Sequence, residues 1–368
     1  MRMGALGALF VLLMPTLVLS SEPPAIIGNE NLQPRQPQMA IDRNGAVHLV
    51  FGSQGEVYHC SSIDEGRSFS SPIQVGQLRY LSLGMRRGPR IVVAGKAIVV
   101  SAIGGELGGG RDGDLFAWKS VDGGKTWDVR AQVNDVTAAA REGLHSMATD
   151  PNGLIYCAWL DLRNHGTEIA GSSSYDGGRT WSKNNLIYRS PDGRVCECCH
   201  PSLAFAADGK LLVMWRNSLK GERDMYVTAS VDSGKTFDLP RRLGTASWPL
   251  DACPMDGGSI TVDERGLHAA WRRGKAVFLT DNDTNTETEV GQGEQPWLAV
   301  TRRGTIMTWL ARRPGDLFIK LPSDKPAYRI ANSARDPVVI GLANYAVVAW
   351  ETVEDKRPII KVQRDSLD

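Results

Sequence analysis

The densest run of reactive side chains in this chain is Cys196-Glu197-Cys198-Cys199-His200, and Cys253 follows in Cys253-Pro254-Met255-Asp256. Thiols at these positions support two kinds of chemistry. In an oxidising compartment Cys196, Cys198, Cys199 and Cys253 form two disulfides between neighbouring loops, which needs no cofactor. Kept reduced, the same four sulfurs bind a soft metal, copper(I) or zinc, with His200, His145 or Met255 assisting. Disulfides are the expectation, because the spacing is not that of a zinc finger. Cys60 and Cys157 fall in apolar runs and read as buried and inert. A second group is cationic. Arg35, Arg163, Arg216, Arg223 and Arg272 sit in polar stretches between apolar runs, with His145 and His200; Arg86, Arg87, Arg90, Arg141, Arg273, Arg312, Arg313 and Arg335 lie in equivalent stretches. A planar guanidinium bonds carboxylate, sulfate or phosphate through two parallel N–H groups, so these residues are candidate ligands for an anion. The alternative is that each pairs with a carboxylate of the chain itself. Asp161, Asp224, Glu142 and Asp256 are the candidate proton donors and acceptors.

Side chains so far apart in sequence can share a site only if the fold gathers them, and repeats show how it does. Ser62-Ile63-Asp64-Glu65-Gly66-Arg67-Ser68-Phe69 recurs as Ser120 to Trp127, Ser174 to Trp181 and Ser230 to Phe237, with starts 58, 54 and 56 residues apart. A fixed period of this size marks a repeat architecture. The residue choice is that of a turn: Asp bonds backbone N–H groups, Gly takes positive φ, and the aromatic packs beneath. Between these boxes a strand leads to an Asp-x-x-Gly turn (Asp42–Gly45, Asp150–Gly153, Asp263–Gly266), and a second strand ends in Trp159, Trp215, Trp271, Trp309 or Trp350, with Phe51 in the first unit. Short alternating strands at regular spacing indicate all-β structure. Seven strand sets begin near Pro37, Pro89, His145, Pro201, Gly258, Pro296 and Pro337, so the expected fold is a β-propeller of four-stranded blades. Seven blades are favoured; six follow if one set is an insertion. The last set lacks a fourth strand, and Ala25-Ile26-Ile27-Gly28 near the N-terminus is expected to supply it and close the ring.

The boxes resemble those of sialidases and of the wider sialidase-like, BNR/Asp-box repeat family. That resemblance implies a top-face pocket on the propeller axis and an exo-sialidase-type glycoside hydrolase acting on an anionic or polar saccharide. Sialidases bind the substrate carboxylate with three arginines, the first in an Arg-Ile-Pro motif. Arg35-Gln36-Pro37 stands at that place, which makes Arg35 the counterpart. Most glycosidases use two carboxylates roughly 5–10 Å apart, here drawn from Asp161, Asp224, Glu142 and Asp256. The Tyr–Glu nucleophile pair of sialidases has no evident match. A non-catalytic propeller binding a glycan or protein on the same face is the rival reading, and metal or redox work at the cysteines is a third.

Composition narrows the partners. The 42 Lys+Arg against 41 Asp+Glu give a net charge of +1, without the basic excess of a nucleic-acid or anionic-membrane binder. Residues 1–20 read as an export signal: Arg2, an apolar run from Ala5 to Leu19, and small residues before the cut. The run is short of the ~20 residues that span a bilayer. The remainder, 21–368, reads as one propeller domain working in a periplasm or outside the cell, with its oligomeric state left open.

Overall fold

The computed structural model describes residues 22–28, 31–281 and 286–367; the export segment at 1–20 lies outside them. Among the described residues every regular element is a β-strand, and the fold is an all-β propeller. Set 1 comprises Arg35–Ile41, Val47–Ser53, Glu56–Ser62 and Ile73–Gln77, hydrogen-bonded in that order. Each later set repeats this up-and-down order from an innermost strand: Arg90–Ala94, His145–Thr149, Ser202–Phe205, Ser259–Asp263 and Glu294–Thr301 open sets 2 to 6.

Six hydrogen-bonded sheets result, because the last two sets are joined. Tyr328–Gly341 runs unbroken from the outer edge of set 6, where Ala331 lies opposite Leu317, into the innermost position of set 7, where Val338 lies opposite Ala349. Elsewhere a loop makes this crossing. Ala25–Ile27 pairs antiparallel with Arg357–Ser366, Ala25 opposite Val362, so the strand from the N-terminal end covers the edge of set 7. The innermost strands touch one another in sequence, and that of set 7 touches that of set 1, so they form a closed ring. They enclose an axial channel of about 300 Å³.

Packing between sheets explains the aromatic column. Phe51, Trp159, Trp215, Trp271, Trp309 and Trp350 are all buried. Trp309 lies with Ala270 and Val277 of set 5, and Trp215 with Tyr156 and Leu160 of set 3. Removing such a large apolar side chain from water stabilises the fold by about 1.5–3 kcal/mol each. The residues between them along each strand face the other side, as strand pleating requires.

The boxes connect a set's third and fourth strands, at the end of the ring opposite the loops that lead into the innermost strands. All four share one bonding scheme. The Ser120 hydroxyl donates to Asp122 and accepts from the Gly124 N–H, while the Thr126 N–H and hydroxyl both donate to Asp122. Ser62, Ser174 and Ser230 do the same in their own boxes. These bonds hold the Asp122 and Asp232 carboxyls well below the usual range, the Thr126 and Thr236 hydroxyls contributing most. At Asp64 burial opposes the shift, yet the bonds from Ser62 and Ser68 still bring it down to about 2. The glycine four residues after the serine of each box also meets the preceding sheet. Gly124 has φ +87°, and a Cβ there would lie 2.2 Å from His59 of set 1; at Gly234, φ +80°, it would lie 2.1 Å from Tyr156 of set 3. Each box thus clamps its sheet against the one before.

Candidate functional site: an off-axis groove on the top face

The loops leading into the innermost strands gather at the top of the ring, but the axis itself is closed. Three of those strands begin with a residue before proline held at positive φ, Gln36 (58°), Gln295 (56°) and Asp336 (47°), and at each the pairing register shifts. Such a bulge re-aims a side chain. Here the Gln36 and Gln295 amides donate to the Asp336 carboxylate at 2.7 and 3.3 Å, and Arg313 donates to it twice. The loop before set 2 then folds across. Arg86, 2% exposed, donates to the carbonyls of Pro337 and Gln295 on the far side and lies over the Trp297 ring. The expected open axial pocket is replaced by this plug. The three repeats of x-Pro, Gln36-Pro37, Gln295-Pro296 and Asp336-Pro337, were the sequence signal for it.

The residues expected to bind an anion around the axis are mostly committed elsewhere. Arg35 and Arg335 flank the fully buried Glu351, at 3.4 and 3.7 Å. Arg163 bonds Asp161 and Asp135, and Arg272 bonds Glu294 of set 6 at 2.7 Å. Arg216, 1% exposed, donates only to the carbonyls of Asp256, Arg223 and Arg272. Arg223 is half-buried, its Nε without an acceptor among the described residues. His145 is buried with Nε2 3.0 Å from the Ser101 hydroxyl, and His200 stacks on Trp297; burial, chiefly, keeps both imidazoles neutral. These five arginines and two histidines therefore do not converge on an open pocket. The alternative weighed for them, pairing within the chain, describes Arg35, Arg163 and Arg272.

Three of the four candidate carboxylates are fixed in the same way. Asp161 accepts from the Trp159 indole and from Arg163. Asp224 accepts from Ser247 and the Trp248 N–H, and Asp256 from the Gln295 N–H at 2.6 Å. All three are at most 6% exposed, and a carboxylate so enclosed and so bonded has no path to a substrate proton.

Glu142 is different. It lies in a groove of about 840 Å³ over sets 1 to 3, lined by Arg79, Tyr80, Arg87, Asp112, Arg141 and the Gly108–Gly110 turn. Burial raises the Glu142 carboxyl above its ordinary range; Arg87 and, less, Arg141 oppose the shift, and Glu197 on the neighbouring loop adds to it. Arg87 donates to the Glu142 carbonyl at 2.7 Å and lies 4.0 Å from its carboxylate. Arg79 and Arg141 are exposed and make no ion pair among the described residues. Arg79 lies over the Tyr80 ring, which is 47% exposed. Asp112 folds back onto the N–H groups of Glu106 and Leu107 and shapes the turn opposite. Arg79 and Tyr80 escaped the sequence reading because Tyr80 opens, and Arg79 immediately precedes, a short strand, Tyr80–Leu81, added to set 2 outside the four-strand pattern.

The cysteine cluster is smaller than expected and unbridged. The sulfurs of Cys196, Cys198 and Cys199 lie 3.4, 3.6 and 3.9 Å apart, all buried, and Met255 packs on them. Disulfides form at about 2.05 Å, and all six cysteines are free thiols. Cys253 is exposed and does not join the trio. Neither His200 nor His145 joins it. Cys60 and Cys157 are buried in strands, and burial pushes the Cys60 thiol up to about 12.

No protein-family profile matches the chain, and no curated protein matches it. Solved structures resemble it along nearly its whole length. An α-L-arabinanase from Penicillium chrysogenum complexed with arabinobiose is 13% identical over 95% of this chain and 99% of its own, with a TM-score of 0.54. An α-L-arabinofuranosidase of Fusarium graminearum with arabinobiose is 12% identical over 94% and 98%, TM-score 0.53. An ulvan lyase bound to a glucuronate–rhamnose sulfate repeat is 12% identical over 92% and 94%, TM-score 0.57. At such identities the likeness establishes the propeller fold.

Proposed function

We propose that this chain is an exported, seven-bladed propeller enzyme that hydrolyses an anionic saccharide in the off-axis groove, with Glu142 as general acid. One observation carries the reading: two exposed arginines, Arg79 and Arg141, line the same groove as a half-buried carboxyl that burial keeps protonated to higher pH. A free guanidinium binds a sugar carboxylate or sulfate. A carboxylic acid with a raised pKa delivers a proton to a leaving oxygen. Tyr80 offers an exposed ring against which a sugar face packs. The solved propellers of similar fold are named as saccharide-cleaving enzymes, one of them bound to a uronate-containing repeat, which agrees with a saccharide ligand. The narrower reading, an exo-sialidase type, keeps only its anionic sugar, since the arginine it would use, Arg35, is held by Glu351.

The test is a panel of uronate, sulfated, sialylated and neutral oligosaccharides, followed for binding and for new reducing ends. Anionic members are expected to bind and to be cleaved, with cleavage lost and binding kept in Glu142→Gln. Equal binding of neutral sugars, or undiminished cleavage by that variant, would contradict the proposal. A binding-only propeller is the second reading, favoured by the locking of Asp161, Asp224 and Asp256. Binding without cleavage of any member would establish it.

A further inference from the structure

The buried trio Cys196, Cys198 and Cys199 has no part in the groove chemistry, and its geometry is that of a ligand set. We infer that these three thiolates form a copper(I) site, closed on one side by Met255. Sulfurs at 3.4, 3.6 and 3.9 Å leave a point about 2.1 Å from each, against a metal–thiolate bond of about 2.3 Å. An ion displaced slightly out of the sulfur plane meets that bond length to all three without movement of the backbone.

The ligand types select the ion. Tetrahedral zinc takes four ligands from Cys, His and carboxylate, and among the described residues no fourth such group joins the trio. The neighbour that does pack on it is a thioether, Met255. Soft thiolates with a thioether nearby favour copper(I) over harder divalent ions. Met255 is fixed there by a backbone turn of φ +57°, a conformation rarely adopted by a side chain of this size.

A second observation is independent of the sulfur spacing. Arg216 is a buried guanidinium whose hydrogen bonds all go to neutral carbonyls. A buried charge needs a counter-charge, and Arg216 adjoins the trio along the backbone, its carbonyl accepting from the Cys196 N–H at 3.0 Å. Three thiolates around a monovalent ion carry a net double negative charge, and Arg216 offsets part of it from within the fold. The same residue, counted from sequence as a substrate ligand, thus acts as the counter-ion of the cluster.

The experiment uses the full chain, purified anaerobically with reductant. It is titrated with copper(I) against a copper(I) chelator, and the loaded protein is studied by X-ray absorption. One ion per chain and three sulfur neighbours are expected. Cys198→Ser and Cys199→Ser should each weaken retention at least tenfold, while Cys253→Ser and Cys60→Ser leave it unchanged. The absorption spectrum of the unaltered protein decides the matter even if the trio variants fold poorly. Four results would overturn the assignment: zinc retained in preference to copper, retention undiminished in Cys198→Ser, fewer than three sulfur neighbours, or a disulfide within the trio that persists under reductant with no copper bound.

Discussion

At the box end of the ring, Asp64, Asp122, Asp176 and Asp232 each fold back onto their own turn, within four residues. At the other end, Asp336, Asp256 and Glu351 reach across to other strand sets: Gln36 meets Asp336 across 300 positions of sequence and Glu351 across 315. The first arrangement is local, so it repeats at a fixed period; the second is assembled only when the ring closes, so its partners follow no period in sequence. Stability is built at both ends, and on the top face open polar groups remain where the repetition breaks, at the groove over sets 1 to 3. A turn that satisfies its own donors has nothing left for a ligand, whereas loops of unequal length leave guanidinium groups such as Arg79 and Arg141 exposed in the groove.

Substitutions that separate the two ends sharpen this contrast. The largest expected effect is on turnover. Glu142→Gln should lower it by about 10²–10⁴-fold without lowering the melting temperature. In the unaltered enzyme turnover should fall as pH rises through the raised pKa of Glu142. The same group opposes folding in that range, because the folded state holds its proton more tightly. The variant should therefore lose that fraction of the pH dependence of stability; a melting temperature with the same pH slope in both proteins would break the assignment.

Asp336→Ala should be the most destabilising single change at the top face, by about 3–5 kcal/mol in chemical denaturation, because it leaves Arg313 and Arg86 facing an unpaired, buried position. At the box end, Gly124→Ala should cost about 1–3 kcal/mol, since its Cβ would overlap His59. Gly123→Ala, also at positive φ but with open space around it, should cost less. Equal losses would remove the inter-sheet clamp from the account. The smallest effect is Ser120→Ala, about 1 kcal/mol for its bonds to Asp122 and Gly124, with turnover unaltered.

The same contrast explains what could be read from the chain before its fold was seen. The boxes and the aromatic column follow from local geometry, which dictates residue type at fixed offsets, and the closing strand at Ala25–Ile27 follows from the fourth strand that the last set lacks. Pairing between distant loops leaves no such mark. Nothing near Arg35 in sequence announces Glu351, 316 positions away, so it looked free when it was committed. Cys253 shared the expected place of its set but not the neighbourhood, because Pro254 and Met255 turn it outward while Met255 takes the position against the trio. Glu142 alone of the four candidate carboxylates lies in open space, and only the course of the neighbouring loops reveals that.

The most direct test of the central claim is calorimetric titration of an anionic oligosaccharide into the unaltered protein and into Arg141→Ala and Ser120→Ala. The groove predicts that affinity falls at least tenfold in Arg141→Ala, weakens with added salt, and is unchanged in Ser120→Ala. Equal affinity in all three proteins, or none in any, would contradict it.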